Sequence, residues 1–342
     1  MPYSRQQVDE ACELIRKYGG VRAAARASDI PRSTLSARAS IVKFLAPKEP
    51  PAHRASPKAR PIPPKPRHPR PVPKRHLIIP DTQVKPGVPL DHLDWIGQAI
   101  VDYMPDVVVH IGDHFDFPSL SSYEEPGSIA LEGARIQADI DSGNEAFARL
   151  CAPMEKEQRR NKKWRPRKIF TMGNHEQRAD RIALNNARWQ GVIGSDACDL
   201  RDFERHPYLE RVEVDGVLYS HFFQQTHSDR AIGGSALNKL TKVGQSFVQG
   251  HVQGFDYGTK MLASGNTIHG VVAGSAYLHT EAYRGAQGQR HARLIVVLNE
   301  VRDGDFDIMP VSLAYLCRKH TGMDLYEYMV RKYAHQNWEH LL

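Results

Sequence analysis

Cysteine is scarce in this sequence, and long apolar runs are missing. The chain has 342 residues and four cysteines, Cys12, Cys151, Cys198 and Cys317, none of which shows C-x-x-C spacing. We therefore expect reduced thiols in a reducing compartment and no disulfide framework. No apolar run approaches the roughly 20 residues that a membrane-spanning helix needs, and the N-terminus lacks a signal-peptide pattern. These absences predict a soluble, cytoplasmic protein with no membrane partner.

Acidic residues are scarce in the first fifth of the chain. Residues 1–75 contain 17 Lys and Arg but 5 Asp and Glu, whereas the remainder contains 29 and 34. The formal net charge of +7 therefore comes entirely from the N-terminal fifth. A basic arm on an acidic body indicates a polyanionic partner, and nucleic acid is the first candidate.

Residues 1–45 show the pattern of three short helices. Ser4 and Gln7 form a capping box that opens the first helix, and a Gly-Gly pair ends it. Residues 21–27 predict a short alanine-rich helix, and a turn with proline leads to a third helix over residues 32–44. The charge and the three helices together favour a small DNA-binding domain.

This arrangement resembles the helix-turn-helix of small bacterial DNA-binding domains. In such motifs the start of the last helix enters the major groove. The contact candidates are Arg32, Ser33, Thr34, Ser36 and Arg38. The alternative is a small helical domain for protein contacts or for assembly of a homo-oligomer.

Residues 46–75 have the composition of a linker. They contain 11 Pro, nine Lys and Arg and a single acid, Glu49, so they predict an extended arm without a core of its own. Its basic residues Lys65, Arg67, Arg70, Lys74 and Arg75 could contact phosphates without sequence preference. A solvated spacer is an equally good interpretation.

Five polar clusters follow in a fixed order, most of them directly after a short apolar run. They read Asp81-Thr82-Gln83, Gly112-Asp113-His114-Phe115-Asp116, Gly173-Asn174-His175-Glu176, Ser220-His221 and Gly250-His251-Val252-Gln253. Polar groups delivered to strand ends collect at one edge of an open α/β sheet, where ligands bind. The alternative, loop acids and turn residues, does not explain why the polar groups so regularly follow strands. The pattern indicates a two-metal hydrolase.

The clusters resemble the signature of the calcineurin-like metallophosphoesterases: D-x-H, G-D-x-x-D, G-N-H-[DE], a lone His and G-H-x-H. The resemblance covers about residues 76–300 of this chain. It implies an α/β fold for residues 76–342, a β-sandwich flanked by helices, preceded here by the small all-α domain. It also implies two divalent metal ions as cofactors.

The implied metal ligands divide into an intact set and an altered set. The resemblance places one ion on Asp113, Asn174, His221 and His251, and the other on Asp81, Gln83, Asp113 and Gln253. Gln83 and Gln253 stand where the family has histidine. Amide oxygen in place of imidazole leaves an all-oxygen ligand set, which favours Mg²⁺, Mn²⁺ or Ca²⁺ and leaves this second site weak or empty.

The resemblance also implies the catalytic roles. Asp113 would bridge two cations about 3.5 to 4 Å apart, a spacing that suits in-line attack on phosphorus. The third motif's histidine falls on His175, as a proton donor or oxyanion stabiliser for the leaving group. Asp116 is placed to orient that ring, as a carboxylate behind an imidazole does elsewhere.

Alternating apolar runs and amphipathic stretches predict the body of the fold. Strands are expected at residues 77–80, 107–111 and 169–172, with helices at 90–103 and 132–150. Strands at residues 217–219, 246–248, 267–273 and 294–298 are expected to form the second sheet of the sandwich. Residues 186–212 predict an insertion near the site, and residues 324–341 predict a packing or dimer helix.

The sequence therefore predicts a metal-dependent phosphodiesterase. We expect it to be a nuclease whose N-terminal domain binds the DNA. The order of a small DNA-binding domain, a basic linker and a Gln-substituted phosphoesterase is similar to proteins of bacteriophages and prophages, which would place it in a bacterial host cell. One alternative is a DNA-binding regulator with an inert phosphoesterase domain. Another is a phosphomonoesterase, since one scaffold serves many phosphate esters. The choice between DNA and RNA stays open.

Overall fold

The computed structural model describes residues 3–45, 72–121, 132–189, 193–281, 284–289 and 291–342. The chain divides into two compact units, Met1–Pro69 and Arg70–Leu342. Most of the predicted linker, with Lys65, Arg67 and Arg70, lies outside the described residues. Its last two residues belong to the first strand, which begins at Lys74.

The N-terminal unit consists of the three predicted helices in its described residues. They are α1 (Arg5–Lys17), α2 (Val21–Ala27) and α3 (Arg32–Leu45). The Ser4 hydroxyl accepts the Gln7 backbone N–H and the Gln7 side chain accepts the Ser4 backbone N–H, so the predicted capping box is confirmed. Ala11, Ala24 and Leu35, one from each helix, are fully buried together. This small apolar contact joins the three helices.

The C-terminal unit is an α/β structure whose described strands form two sheets. Its strands are β1 (Lys74–Ile79), β2 (Val107–His110), β3 (Arg167–Thr171), β4 (Glu204–His206), β5 (Val212–Val214), β6 (Val217–Tyr219), β7 (Phe247–Gln249), β8 (Phe255–Met261), β9 (Thr267–Ala273), β10 (Leu294–Arg302) and β11 (Asp305–Ser312). Its helices are α4 (Asp91–Tyr103), α5 (Ile136–Arg160), α6 (Glu176–Asn185), α7 (Ala236–Val243), α8 (Gly285–Gly288), α9 (Leu313–Thr321) and α10 (Leu325–Lys332). The predicted α/β class is confirmed.

The two sheets have different strand orders, but each sheet contains a block of parallel strands. The first sheet runs β11-β10-β1-β2-β3-β4, and β1 to β4 are parallel. The second runs β5-β6-β7-β9-β8, with β6, β7 and β9 parallel. The carboxyl ends of the parallel strands within each sheet therefore lie at one edge.

The prediction that residues 294–298 belong to the second sheet is wrong. β10 pairs antiparallel with β1, with Val297 opposite Leu77, and it forms a hairpin with β11. The run from Leu294 to Leu298 is buried at every position, as in a strand that is covered on both faces. Hydrophobicity alone predicted the strand but not its partner.

Apolar side chains make two layers around the first sheet. One layer lies between the sheets and joins Ile78, Val109 and Val296 of the first sheet to Val217, Val248 and Val271 of the second. The other joins Leu77, Val108 and Phe170 to Leu93, Phe147 and Leu316 of α4, α5 and α9. The C-terminal residues of β1, β2 and β3 are buried, so the loops that follow these strands start from the packed core.

Two further predicted segments are partly helical. Residues 186–212 contain the 3₁₀ turns Ala187–Trp189 and Ser195–Ala197 and then β4, which extends the first sheet beside β3. The predicted C-terminal helix is α10 followed by the 3₁₀ turn Glu339–Leu341. Tyr328 of α10 donates its hydroxyl to Asp91 of α4, so this helix packs on the body of the unit. Within the described residues, no helix combines the length and apolarity needed to cross a membrane.

Candidate metal centre

The predicted site residues lie at the carboxyl ends of five strands. Asp81 follows β1, Asp113 follows β2 and Asn174 follows β3, three parallel neighbours in the first sheet. His221 follows β6 and His251 follows β7, which are parallel neighbours in the second sheet. The two sheets thus bring these side chains together from both sides of the apolar layer.

The backbone of the site adopts conformations that ordinary residues rarely occupy. Gln83, Asp113, His251 and Gln253 all have left-handed backbone, with φ of 46°, 50°, 67° and 60°. Such a conformation is costly for a residue with a Cβ and persists where the surrounding contacts enforce it. Four of the predicted site residues share it, which is typical of a functional site.

Two glycines let the backbone approach the site carboxylates. A Cβ on Gly173 would lie 2.1 Å from Oδ1 of Asp113, and a Cβ on Gly250 would lie 2.3 Å from Oδ1 of Asp81. Neither contact can be accommodated without moving a buried carboxylate. The glycines of these motifs are therefore needed for close approach as well as for turning the chain.

Asp113, His221 and His251 form a cluster that could hold a metal ion. One ligand atom from each residue lies within 4.8 Å of the other two. Nε2 of His221 is 3.2 Å from Oδ2 of Asp113 and 3.0 Å from Oδ1 of Asn174, and Nδ1 of His251 is 2.8 Å from the same Asn174 oxygen. Two imidazoles, a carboxylate and an amide oxygen suit Zn²⁺ as well as Mn²⁺, so the donor set does not select one ion.

A backbone carbonyl orients the His221 ring. Its Nδ1 lies 2.8 Å from the carbonyl oxygen of Ile111, which can only accept a hydrogen bond. The Nδ1 proton is therefore fixed there, and Nε2 faces Asp113 and Asn174. A metal-binding histidine is commonly held in this way, with its second nitrogen on a backbone carbonyl.

Charge pairing dominates the titration of the cluster. Burial disfavours the charged form of His221, but the Asp113 carboxylate outweighs it and raises the pKa of His221 to about 10. Burial lowers the pKa of His251 to about 4, with a smaller contribution from the neighbouring His221. Burial opposes the ionised form of Asp113, yet His175 and His221 hold its pKa well below the usual range. At neutral pH the cluster therefore pairs an ionised Asp113 with a protonated His221, beside a neutral His251.

Glu176 joins the loops after β2 and β3. Its fully buried carboxylate accepts four backbone N–H groups, from Asp113, His114, Phe115 and Gly173, at distances between 2.7 and 3.0 Å. These bonds bind the second motif to the third and set the position of the Asp113 carboxyl. Glu176 belongs to the third motif, but nothing in that motif indicated that its side chain would accept hydrogen bonds from the backbone of the second motif.

Two buried oxygens near Asp113 have no hydrogen-bond partner among the described residues. They are Oδ2 of Asp81 and Oε1 of Gln83, both on fully buried side chains. Oδ1 of Asp81 accepts the His251 N–H at 3.2 Å, and Nε2 of Gln83 donates to Oδ2 of Asp113 at 3.3 Å. Burial raises the pKa of Asp81 to about 7. Unpaired buried acceptors are rare, and a bound cation is one group that satisfies such oxygens.

Gln253 lies near the same motif, but its oxygen faces other groups. Oε1 accepts the Tyr277 hydroxyl at 2.9 Å and also accepts Nη1 of Arg284. A carbonyl oxygen has two lone pairs, so these two donors use its capacity. The role of Gln253 as a metal ligand stays a prediction, and the described contacts offer no free lone pair for it.

His175 and Asp116 lie together beside the cluster. Nδ1 of His175 is 2.7 Å from Oδ1 of Asp116, and its Nε2 is 3.7 Å from Oδ2 of Asp113. Burial lowers the pKa of His175, but both carboxylates outweigh it and raise the value to about 9. Both side chains are buried. The ring can therefore carry a proton at neutral pH next to the Asp113 carboxylate.

Two cations that sequence reasoning missed contact the same pair. Nη1 of Arg178 donates to the Asp116 carbonyl at 3.0 Å, and its Nη2 lies 3.2 Å from Nε2 of His175. Lys85 is 3.4 Å from Oδ2 of Asp116 and 2.8 Å from Glu281. Arg178 stands three residues after His175 on α6, a helical spacing that could have indicated the contact.

An open cavity of about 770 Å³ is lined by residues that include Phe222. Its wall includes Phe222, which follows His221 in sequence and whose ring centre lies 4.7 Å from that of His251. Arg211 and Lys242 add positive charge to the lining. Asp113, Asn174, His221 and His251 do not line this cavity, and Phe222 is the lining residue that contacts the cluster.

The predicted DNA contacts of the N-terminal unit lie on the first turns of α3. Arg32, Ser33 and Ser36 are exposed, and Thr34 is half-buried. Arg38 is also half-buried, with its guanidinium 5.3 Å from the centre of the Tyr3 ring, and its Nε is buried without a partner in the described part of the chain. Packing thus occupies Arg38, whereas the other basic candidate, Arg32, faces solvent.

No family model matches this chain, and no curated protein matches it. The functional conclusion therefore rests on the geometry above.

Proposed function

We propose that the C-terminal unit is a metal-dependent phosphodiesterase of the calcineurin-like type. The observation that carries the proposal is the convergence of Asp113, Asn174, His221 and His251 on one point, with the His175–Asp116 pair beside it. Four loops of two sheets supply these groups, although a packed core needs no such cluster. Buried ionisable groups with strongly shifted pKa values are characteristic of active sites.

The fit to metal ions differs between the two implied positions. Asp113, Asn174, His221 and His251 would hold the first ion, and because the Ile111 carbonyl holds the Nδ1 proton of His221, Nε2 would lose its proton and bind the ion. Asp81 and Gln83 would hold a second ion with Asp113, since both have an unpaired buried oxygen. A divalent cation bound there supplies Lewis-acid polarisation of a phosphoryl oxygen. The all-oxygen donors favour Mn²⁺ or Mg²⁺ for the second position.

His175 is assigned the proton transfer to the leaving oxygen. Its raised pKa, about 9, keeps the ring protonated at neutral pH, and Asp116 fixes the Nδ1 side of the ring. Nε2 is then the atom that donates. A general acid contributes typically 10²- to 10⁴-fold to the rate, so loss of this ring should slow the reaction without removing substrate binding.

DNA is the proposed substrate, held by the N-terminal unit through α3. The exposed Arg32, Ser33 and Ser36 at the start of that helix support the assignment, as does the basic charge of residues 1–75. The cavity beside Phe222, with Arg211 and Lys242 in its lining, has the size and charge for part of a polyanion.

A second candidate is a DNA-binding protein with an inert phosphoesterase unit. The engaged oxygen of Gln253 favours it, because the second metal position loses one of its four expected protein ligands. A phosphomonoesterase would use the same groups on a different ester, and substrate preference separates the two enzyme assignments.

Hydrolysis of a small chromogenic phosphodiester and its matching monoester, with and without Mn²⁺, tests the proposal. We expect Mn²⁺-dependent turnover of the diester that His251→Ala abolishes and His335→Ala, an exposed histidine, does not affect. Faster turnover of the monoester would support the phosphomonoesterase. No turnover of either ester, with DNA binding intact, would support the inert unit.

A further inference from the structure

Arg284 contacts Gln253 in the loop after β7 and is held there by neutral groups. Its Nε donates to the carbonyl oxygen of Gly288 at 3.0 Å, and its Nη1 donates to Oε1 of Gln253. No carboxylate of the described residues lies within ion-pair distance of its guanidinium. An arginine usually pairs with an acid when it is partly buried, so a charge held only by carbonyl dipoles is available to an anion.

The contact with Gln253 links this charge to the loop that carries the predicted ligand His251. Gln253 follows the predicted ligand His251 by two residues, and both residues have left-handed backbone. The hydroxyl of the fully buried Tyr277 shares the Gln253 oxygen, which fixes the amide from a second side. The amide therefore has one orientation, with its oxygen towards Arg284.

The guanidinium keeps donors that the described residues do not use. Nε and Nη1 have acceptors, whereas Nη2 has no hydrogen bond within the described part of the chain. A guanidinium presents donors in a fixed plane that match the oxygens of a phosphate. Arg178 also lacks an ion-pair partner among the described residues, since its Nη1 donates to the Asp116 carbonyl oxygen and its Nη2 lies 3.2 Å from Nε2 of His175.

We propose that Arg284 binds a non-bridging oxygen of the substrate phosphate, and that Gln253 positions Arg284 instead of ligating a metal ion. The identity of the anion as a phosphate ester rests on the proposed function. The amide of Gln253 is suited to this role, because an amide oxygen accepts from a guanidinium without neutralising it, whereas a carboxylate would cancel the charge that the anion needs. A protonated histidine at position 253 would repel the Arg284 guanidinium.

Isothermal titration calorimetry of the full-length protein tests the assignment with two probes, Mn²⁺ alone and then inorganic phosphate added to the Mn²⁺-saturated protein. We expect Arg284→Gln to weaken phosphate binding roughly tenfold or more, the usual effect of a lost charge-assisted hydrogen bond. Its Mn²⁺ stoichiometry should stay unchanged. Arg331→Gln, which removes an exposed arginine from α10, is the matched control and should change neither.

Gln253→Leu separates positioning from metal binding. If Gln253 positions Arg284, this variant weakens phosphate binding and leaves Mn²⁺ stoichiometry and affinity unchanged. Arg284→Lys keeps the charge but not the planar donors, and we expect it to recover part of the phosphate affinity. Equal thermal midpoints of the variants and the control would show that the fold is intact.

Phosphate affinity that Arg284→Gln does not change would overturn the inference, as would a wild-type protein that binds Mn²⁺ but no phosphate. Loss of a Mn²⁺ equivalent in Gln253→Leu would return Gln253 to the metal ligands. The proposed function fails separately. If the wild-type protein binds phosphate through Arg284 but hydrolyses no ester, the anion site is supported and the assignment as an enzyme is refuted.

Discussion

Replacing Glu176 with Gln should loosen the candidate site and destabilise the C-terminal unit. The carboxylate accepts four buried backbone N–H groups, two on each oxygen. Gln keeps one acceptor oxygen and presents an NH₂ group to the other two N–H donors. Two charge-assisted bonds of about 1.5 to 3 kcal/mol each are lost, and relief of the buried charge offsets part of this. We therefore expect a loss of about 3 kcal/mol in the free energy of unfolding.

Urea unfolding followed by tryptophan fluorescence measures this change. All four tryptophans, Trp95, Trp164, Trp189 and Trp338, belong to the C-terminal unit, so the signal does not report the N-terminal helices. Glu327→Gln, on the exposed side of α10, makes the same chemical change and should have little effect.

Calorimetry adds a second readout to the Glu176→Gln experiment. Because Glu176 binds the backbone of Asp113 and Gly173, the variant should also bind Mn²⁺ more weakly than the wild-type protein. A loss below about 1 kcal/mol together with unchanged Mn²⁺ affinity would refute the scaffolding role, since such a value is that of one ordinary hydrogen bond.

Three further predictions concern pH, catalysis and DNA. Both ring nitrogens of His92 are buried without a partner among the described residues, and burial lowers its pKa to about 3, so the folded unit keeps it neutral. Below the unfolded-state pKa of about 6.5, only the unfolded chain gains a proton at His92, so the wild-type protein loses stability as the pH falls from 7 to 5. In urea titrations, His92→Leu should make this loss of unfolding free energy roughly 2 kcal/mol smaller, and an unchanged pH slope would contradict this. Asp116→Asn removes one of the carboxylates that raise the pKa of His175, so the basic limb of kcat/KM for diester hydrolysis should move to lower pH, and a limb that stays in place would assign it to another group. In a filter-binding assay, Arg32→Ala should weaken DNA binding and reduce its salt dependence, without changing hydrolysis of a small diester. The control Arg5→Ala on α1 should weaken DNA binding less, and equal effects of the two variants would indicate non-specific attraction.

Local patterns were sufficient to predict most elements of the fold. The capping box at Ser4 and the apolar runs before Asp81 and Asp113 predicted α1, β1 and β2, because each depends on neighbouring residues alone. The sheet that contains β10 could not be predicted in this way. Its pairing with β1 joins residues more than 200 positions apart, and hydrophobicity does not specify a partner.

The same limit applies to the candidate site. The spacing of short motifs brought Asp113, His221 and His251 into one hypothesis, and the structure brings them together. The contacts of Arg284 with Gln253 and of Lys85 with Glu281 join segments that carry no shared motif. Such contacts depend on which loops meet after the sheets have formed, so local sequence patterns could not predict them.

Diffraction from crystals soaked in Mn²⁺, recorded at a wavelength where manganese scatters anomalously, tests the central claim most directly. The account predicts an anomalous peak within bonding distance of Asp113, Asn174, His221 and His251, with Gln253 still turned towards Arg284. A peak bonded to Gln253 would contradict the role assigned to that residue. No peak at the cluster, at Mn²⁺ concentrations that saturate ordinary metal sites, would contradict the metal-dependent phosphodiesterase itself.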